Sequence, residues 1–78
     1  MKKGENRMKR NIKLIGYRKM CELTQKDMAV VIGISTAQGY GMKETGKTPF
    51  TASEMKAIQE VLNSRLGLQL TIDELFFS

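Results

Sequence analysis

The chain has 78 residues, one cysteine, no histidine and a formal net charge of +5. That length suits one small domain, which buries only ~60% of the surface its unfolded chain exposes. Cys21 has no partner for an internal disulfide, a Cys/His metal site is excluded, the commonest general base is absent, and no apolar run approaches the ~20 residues of a membrane span or forms a signal-peptide core behind the basic start.

These exclusions lead to the expectation of a cytoplasmic binding module that is not an enzyme. The charge is uneven. Residues 1–19 hold eight Lys/Arg and one acid, whereas residues 20–78 hold five Lys/Arg and seven acids. Residues 1–10, MKKGENRMKR, are expected to form a basic flexible arm ahead of a domain at 11–78. Such a segment can be a solvated tail or an arm laid along a polyanion. A membrane-surface helix is the poorest fit, because the segment has no apolar face.

Helix-start signatures of the form Ser/Thr-x-x-acid/Gln divide the rest of the chain. They occur at Thr24/Asp27, Ser35/Gln38, Thr51/Glu54 and Thr71/Glu74, where cap and third residue can satisfy backbone N–H groups that no helical carbonyl reaches. In chain order the predicted helices are 11–21, 25–32, 36–44, 52–65 and 72–77. Gly46 and Pro49 punctuate the loop before the fourth, and Gly67 ends it. No useful strand-like alternation, repeat or internal linker interrupts them, so the fold class is all-α with five short helices.

Helical spacing supplies the core. Leu14 and Tyr17 line the first helix, Met28, Ala29 and Ile32 the second, and Met55, Ile58, Val61 and Leu62 the fourth, with Leu75 and Phe76 closing the base. Three hydrophobic staples are in register: Leu23 with Met28, Phe50 with Met55, and Leu70 with Leu75. The fourth is not, because Ile34 meets Gly39 and the apolar Tyr40 comes one position late.

Residues 23–35, LTQKDMAVVIGIS, carry the most information. Thr24 can cap a helix, with Asp27 favouring its positive end. Ala29 is small enough for a following helix to cross closely. Gly33 can take the positive φ of a tight exit, and Ser35 is a second candidate cap. A chain that breaks and restarts this sharply reads as a helix-turn-helix, whose second helix is usually offered to the DNA major groove.

Leu23-Thr24-Gln25, Ala29, Gly33-Ile34-Ser35 and Glu44-Thr45-Gly46-Lys47 together resemble the Cro- and phage-repressor-type family, also called the xenobiotic response element family. The resemblance spans residues 11–77. It implies a compact five-helix, phage-repressor-like domain containing a helix-turn-helix. The implied function is a sequence-specific transcriptional regulator of repressor type, a homodimer on double-stranded DNA that needs no cofactor or small-molecule ligand. A second reading keeps the fold without reading DNA, as an antitoxin-like or adaptor protein. The net acidity of residues 20–78 favours it.

The resemblance also assigns roles. The candidate DNA-binding residues are Thr24, Gln25, Ser35, Thr36, Ala37, Gln38, Lys43, Lys47 and Thr48. Gln25 matches a glutamine that touches phosphate and buttresses the next helix, or it is simply a polar residue after a cap. Thr36, Ala37 and Gln38 fall on the turn that reaches base edges. Gln38 can bond adenine bidentately or close the box with Ser35, and the two roles compete for one amide. Lys43, Lys47 and Thr48 sit where the family's loop meets phosphate, or are solvated. Arg18 matches an arginine that pairs with the glutamate after the recognition helix, here Glu44, with a DNA phosphate as its other possible partner. Tyr40 is either core or base-stacking. Phe76 and Phe77 are candidates for a dimer surface, with core burial the alternative for Phe76.

The family pattern slips by one residue after Gly33. An apolar residue is expected at 39 and the Glu-x-Gly exit at 43–45, yet Tyr40, Glu44 and Gly46 all come one later. This places Gly39 as an extra residue inside the recognition helix. Either a kink or bulge at Gly39–Gly41 keeps Tyr40 and Glu44 facing inward, or a regular helix turns Tyr40 outward. The charge distribution gives a separate prediction. Removing residues 1–10 takes five Lys/Arg away. Binding to duplexes of any sequence should weaken, and the dependence of log affinity on log salt should flatten, in titrations at several ionic strengths.

Overall fold

The computed structural model describes residues 10–77. The expected arm at residues 1–10 therefore lies outside the described residues except for Arg10. Five helices follow one another: α1 Ile12–Met20, α2 Gln25–Ile32, α3 Ala37–Glu44, α4 Ala52–Leu66 and α5 Ile72–Phe76. No strand occurs among the described residues, and none of their helices is long and apolar enough to cross a membrane.

Three helices start as their sequences dictate. Thr24, Thr51 and Thr71 each accept the N–H of the third helical residue, and Asp27, Glu54 and Glu74 each accept the cap residue's own N–H. The exit of α2 is equally explicit. Gly33 adopts φ 80°, its N–H donates to the Val30 carbonyl, and the Ile34 N–H reaches back to Ala29. Two carbonyls left over at the helix end are satisfied, and the chain is turned sharply toward α3. The α1 exit uses the same geometry without a glycine, Glu22 standing at φ 59°. An L residue there costs roughly 1–2 kcal/mol.

The core is built by α1, α2, α4 and α5 around one aromatic from α3. Leu14, Met28, Ala29, Tyr40, Ile58 and Leu62 are fully enclosed, with Leu23, Leu70, Leu75 and Phe76 nearly so. Tyr17, Ile32, Met55 and Val61 pack against this cluster half-buried. α2 lies against α3 and α4, while α5 closes on α1 and α4. Phe50 links the layers edge-on, its ring 6.0 Å from Tyr40 and 5.1 Å from Phe76. Phe76 is therefore core, whereas Phe77 is 60% exposed.

The slip after Gly33 is resolved in a way neither expectation anticipated. α3 is unbroken from Ala37 to Glu44, so there is no bulge at Gly39, yet Tyr40 is fully buried. The extra residue is taken up by the turn. Thr36, not Ser35, caps α3, accepting the Gly39 N–H at 3.0 Å. Starting the helix one residue later carries Tyr40 and Glu44 inward without distortion. Gly39 becomes the third helical residue, where a β-carbon would stand 3.1 Å from Thr36 Oγ1 and 3.4 Å from Ile34 Cδ1. A β-carbon at this position would sit tightly against the cap hydroxyl and in contact with Ile34. Thr36→Ala should consequently cost about 1 kcal/mol, lowering Tm by roughly 4–8 °C for a domain of this size. Ser35→Ala should leave the thermal melt unchanged. A larger loss for Ser35→Ala would return the cap to position 35.

Candidate functional site

Tyr40 and Glu44, one turn apart on α3, point into the protein. This orientation fixes the opposite face of the helix as Gln38, Gly41, Met42 and Thr45, which recur at helical spacing. With Gln25 from α2, Lys47 from the following loop and Arg10 from the start of the described chain, they line one shallow depression. Two of its seven lining residues are cationic and none is acidic. The remaining chemistry is amide, hydroxyl and thioether.

Behind this face lies a buried ion pair. Arg18 Nε meets Glu44 Oε2 at 2.6 Å and its Nη2 meets Oε1 at 3.3 Å, with side chains only 10% and 3% exposed. Arg18 Nη1 also donates to the Leu23 carbonyl at 2.9 Å, and Gln25 Nε2 donates to Glu44 Oε1 at 3.0 Å. One carboxylate thus joins α1, the start of α2 and the end of α3. The Tyr40 hydroxyl is enclosed nearby without a hydrogen-bond partner among the described residues. Burial, reinforced by the Glu44 charge, drives its ionisation far above the ordinary range, so it stays a neutral phenol.

Gln25 is held from two sides. Its amide bonds Glu44 and also lies over Gly41, where an added β-carbon would come within 3.3 Å of both amide heteroatoms. Gly41 is the seat that lets α2 approach α3 this closely. Gln38 is in the opposite condition. Because Thr36 carries the cap, the Gln38 amide belongs to no capping box. It is exposed and has no hydrogen-bond partner among the described residues.

The other expected residues divide. Thr24 and Thr36 are exposed caps, their hydroxyls engaged by the Asp27 and Gly39 amides. Ser35 is exposed in the turn and Ala37 is half-buried. Lys47 reaches the depression. Lys43 and Thr48 border a different hollow with Phe50, Met55 and Phe77. The Lys43 ammonium lies 3.0 Å from Glu54 and donates to the Pro49 carbonyl at 3.0 Å, 5.8 Å from the centre of the Phe50 ring. Burial works to raise the Glu54 carboxyl, but the Thr51 amide and the Lys43 ammonium outweigh it and hold the group below its usual range. Lys43 therefore ties α3 to α4 instead of facing outward.

Met42 carries no role in the sequence reading, Thr45 enters it only within the Glu44-Thr45-Gly46-Lys47 match and Arg10 only as part of the basic arm, although the spacing opposite Tyr40 and Glu44 contained the signal for the first two. No family model, curated protein or solved structure matches this chain.

The ion pair generates a stability prediction. Arg18→Met or Glu44→Gln alone should cost about 3–5 kcal/mol, because each leaves a buried group without its partner. The double substitution should recover much of that loss in urea melts. Additive losses would show that the two side chains act independently.

Proposed function

We propose that this chain is a sequence-specific regulator of transcription that lays α3 in the major groove of double-stranded DNA and acts as a repressor by occupying its site. The observation that carries this reading is the exposed face of α3. Gln38, Met42 and Thr45 are presented together beside Arg10 and Lys47, with no acidic lining residue. An unengaged glutamine amide offers a donor and an acceptor in one plane, which matches the N6 and N7 edge of adenine. Met42, 39% exposed, offers an apolar surface suited to a thymine methyl. Arg10 and Lys47 flank these groups where phosphates line a groove. The connection from α2 through Gly33 to α3, with Gln25 at the start of α2, supports the helix-turn-helix resemblance.

One such helix touches few base pairs. Specific affinity therefore calls for two copies on half-sites about 10 base pairs apart, centre to centre. This reading needs no cofactor, small-molecule ligand or catalytic group. Exposed Val30 and Met20, 68% and 62% accessible, favour the alternative of a protein-interaction module. Salt separates the two. A DNA reader loses affinity steeply as salt rises and prefers one sequence, whereas an interaction module does neither.

Selection of bound duplexes from a random pool by the purified chain should return a two-fold symmetric consensus. Recovery of no sequence above the input pool, with no salt-dependent retention, would overturn the proposal. In the same selection, Gln38→Ala should relax preference at one position per half-site by ~1–3 kcal/mol. Its thermal melt should match the parent, since Gln38 caps nothing.

A further inference from the structure

Asn11 occupies the cap position of α1 but makes no side-chain bond to that helix. It serves α3 instead. Its backbone N–H donates to the Glu44 carbonyl at 2.9 Å, and its Nδ2 donates to the Lys43 and Glu44 carbonyls at 3.2 and 3.4 Å. The last carbonyls of a helix have no partner within it and carry its negative pole. The Gly41, Met42 and Lys43 carbonyls are bonded by N–H groups of the residues that follow, and Asn11, more than 30 residues away in sequence, supplies the partner of the Glu44 carbonyl.

The consequence falls on Arg10. Fastened by Asn11, the chain places Arg10 in the depression of Gln25, Gln38 and Lys47. Arg10 has no carboxylate partner among the described residues, and no acid lines the depression to supply one. Its exposed guanidinium lies at the edge of the depression, and its planar set of N–H donors is chemistry suited to a phosphate diester.

Resting on the DNA-binding reading above, we infer that Arg10 is a backbone-phosphate contact of the reading face and that Asn11 is its positioning residue, coupling that contact to the end of α3. Phosphate contacts set affinity and register without reading sequence. The contribution of Arg10 is accordingly equal on every duplex.

The full-length chain, its Arg10→Gln, Arg10→Lys and Asn11→Ala variants and the Arg10→Gln/Asn11→Ala double variant are titrated onto a random-sequence duplex and a selected duplex across a series of salt concentrations. Arg10→Gln should weaken both duplexes by the same factor and reduce the salt slope by about 1. Its Tm should match the parent, and Arg10→Lys should restore the slope. Asn11→Ala should reproduce the loss of slope, and the double variant should bind no worse than Asn11→Ala. Circular dichroism confirms that each variant is folded, and Asn11→Gln, which keeps the donors on a longer stem, serves if Asn11→Ala is not. An unchanged slope for Arg10→Gln, while the parent binds with normal salt dependence, overturns this inference alone. Additive losses for the two positions overturn the positioning role. A parent chain with no salt-dependent binding overturns the DNA-binding reading itself.

Discussion

The Glu44 carboxylate is the constraint on which the arrangement of this protein depends. It is 2% exposed and meets donors from Arg18 on α1 and Gln25 on α2 while belonging to α3. Removing two charges from water costs several kcal/mol per ion, a penalty recovered only with good geometry and with the remaining donors satisfied. Both conditions hold, because Arg18 also bonds the Leu23 carbonyl and Gln25 bonds the second carboxylate oxygen. The return is geometric more than energetic. An apolar cluster tolerates several rotations of α3, but a buried carboxylate with fixed donors tolerates one. That rotation presents Gln38, Met42 and Thr45 outward.

The one-residue slip after Gly33 shows the same hierarchy. Local preference favoured Ser35 and Gln38 as a reciprocal cap, which would have started α3 one residue earlier. Burial of Tyr40 and pairing of Glu44 favour the later start. An N-cap side chain contributes on the order of 1 kcal/mol in all, whereas an outward Tyr40 and an unpaired Glu44 would lose several times that. Tertiary contacts win, and the turn absorbs the difference. The outcome also releases the Gln38 amide from capping, so a concession in local stability coincides with an unengaged group on the exposed face of α3.

Much of the fold could be read from the residues because its signals are local. The threonine caps of α2, α4 and α5 lie within three residues of their partners, and the core positions follow a single helical period. The family resemblance pointed to the Arg18–Glu44 pair. What escaped was non-local. Nothing within reach of Lys43 in sequence announces that Glu54 and the Pro49 carbonyl would enclose it. Asn11 looks like an ordinary helix start until α3 arrives beside it. Gly39 looked like an insertion because Tyr40, Glu44 and Gly46 each stand one residue too far from Gly33, and the sequence alone does not say whether turn or helix takes up an extra residue. Met42 and Thr45 were legible in principle, from the spacing opposite Tyr40 and Glu44.

α3 could not stand by itself. It has eight residues, two of them glycine, and isolated helices shorter than about 12–15 residues are marginal even with better composition. Each glycine is explained by what lies over it, Thr36 and Ile34 at Gly39 and the Gln25 amide at Gly41, so the low propensity follows from close packing. The helix exists because Tyr40 fills the core, Glu44 is paired, Lys43 is tied to α4 and Asn11 bonds its last carbonyl. Its geometry is therefore a property of the whole domain and not of its own eight residues. The exposed face of α3 and the contacts that hold the fold are opposite sides of one short helix, and a change at Arg18 or Asn11 alters the first by acting on the second.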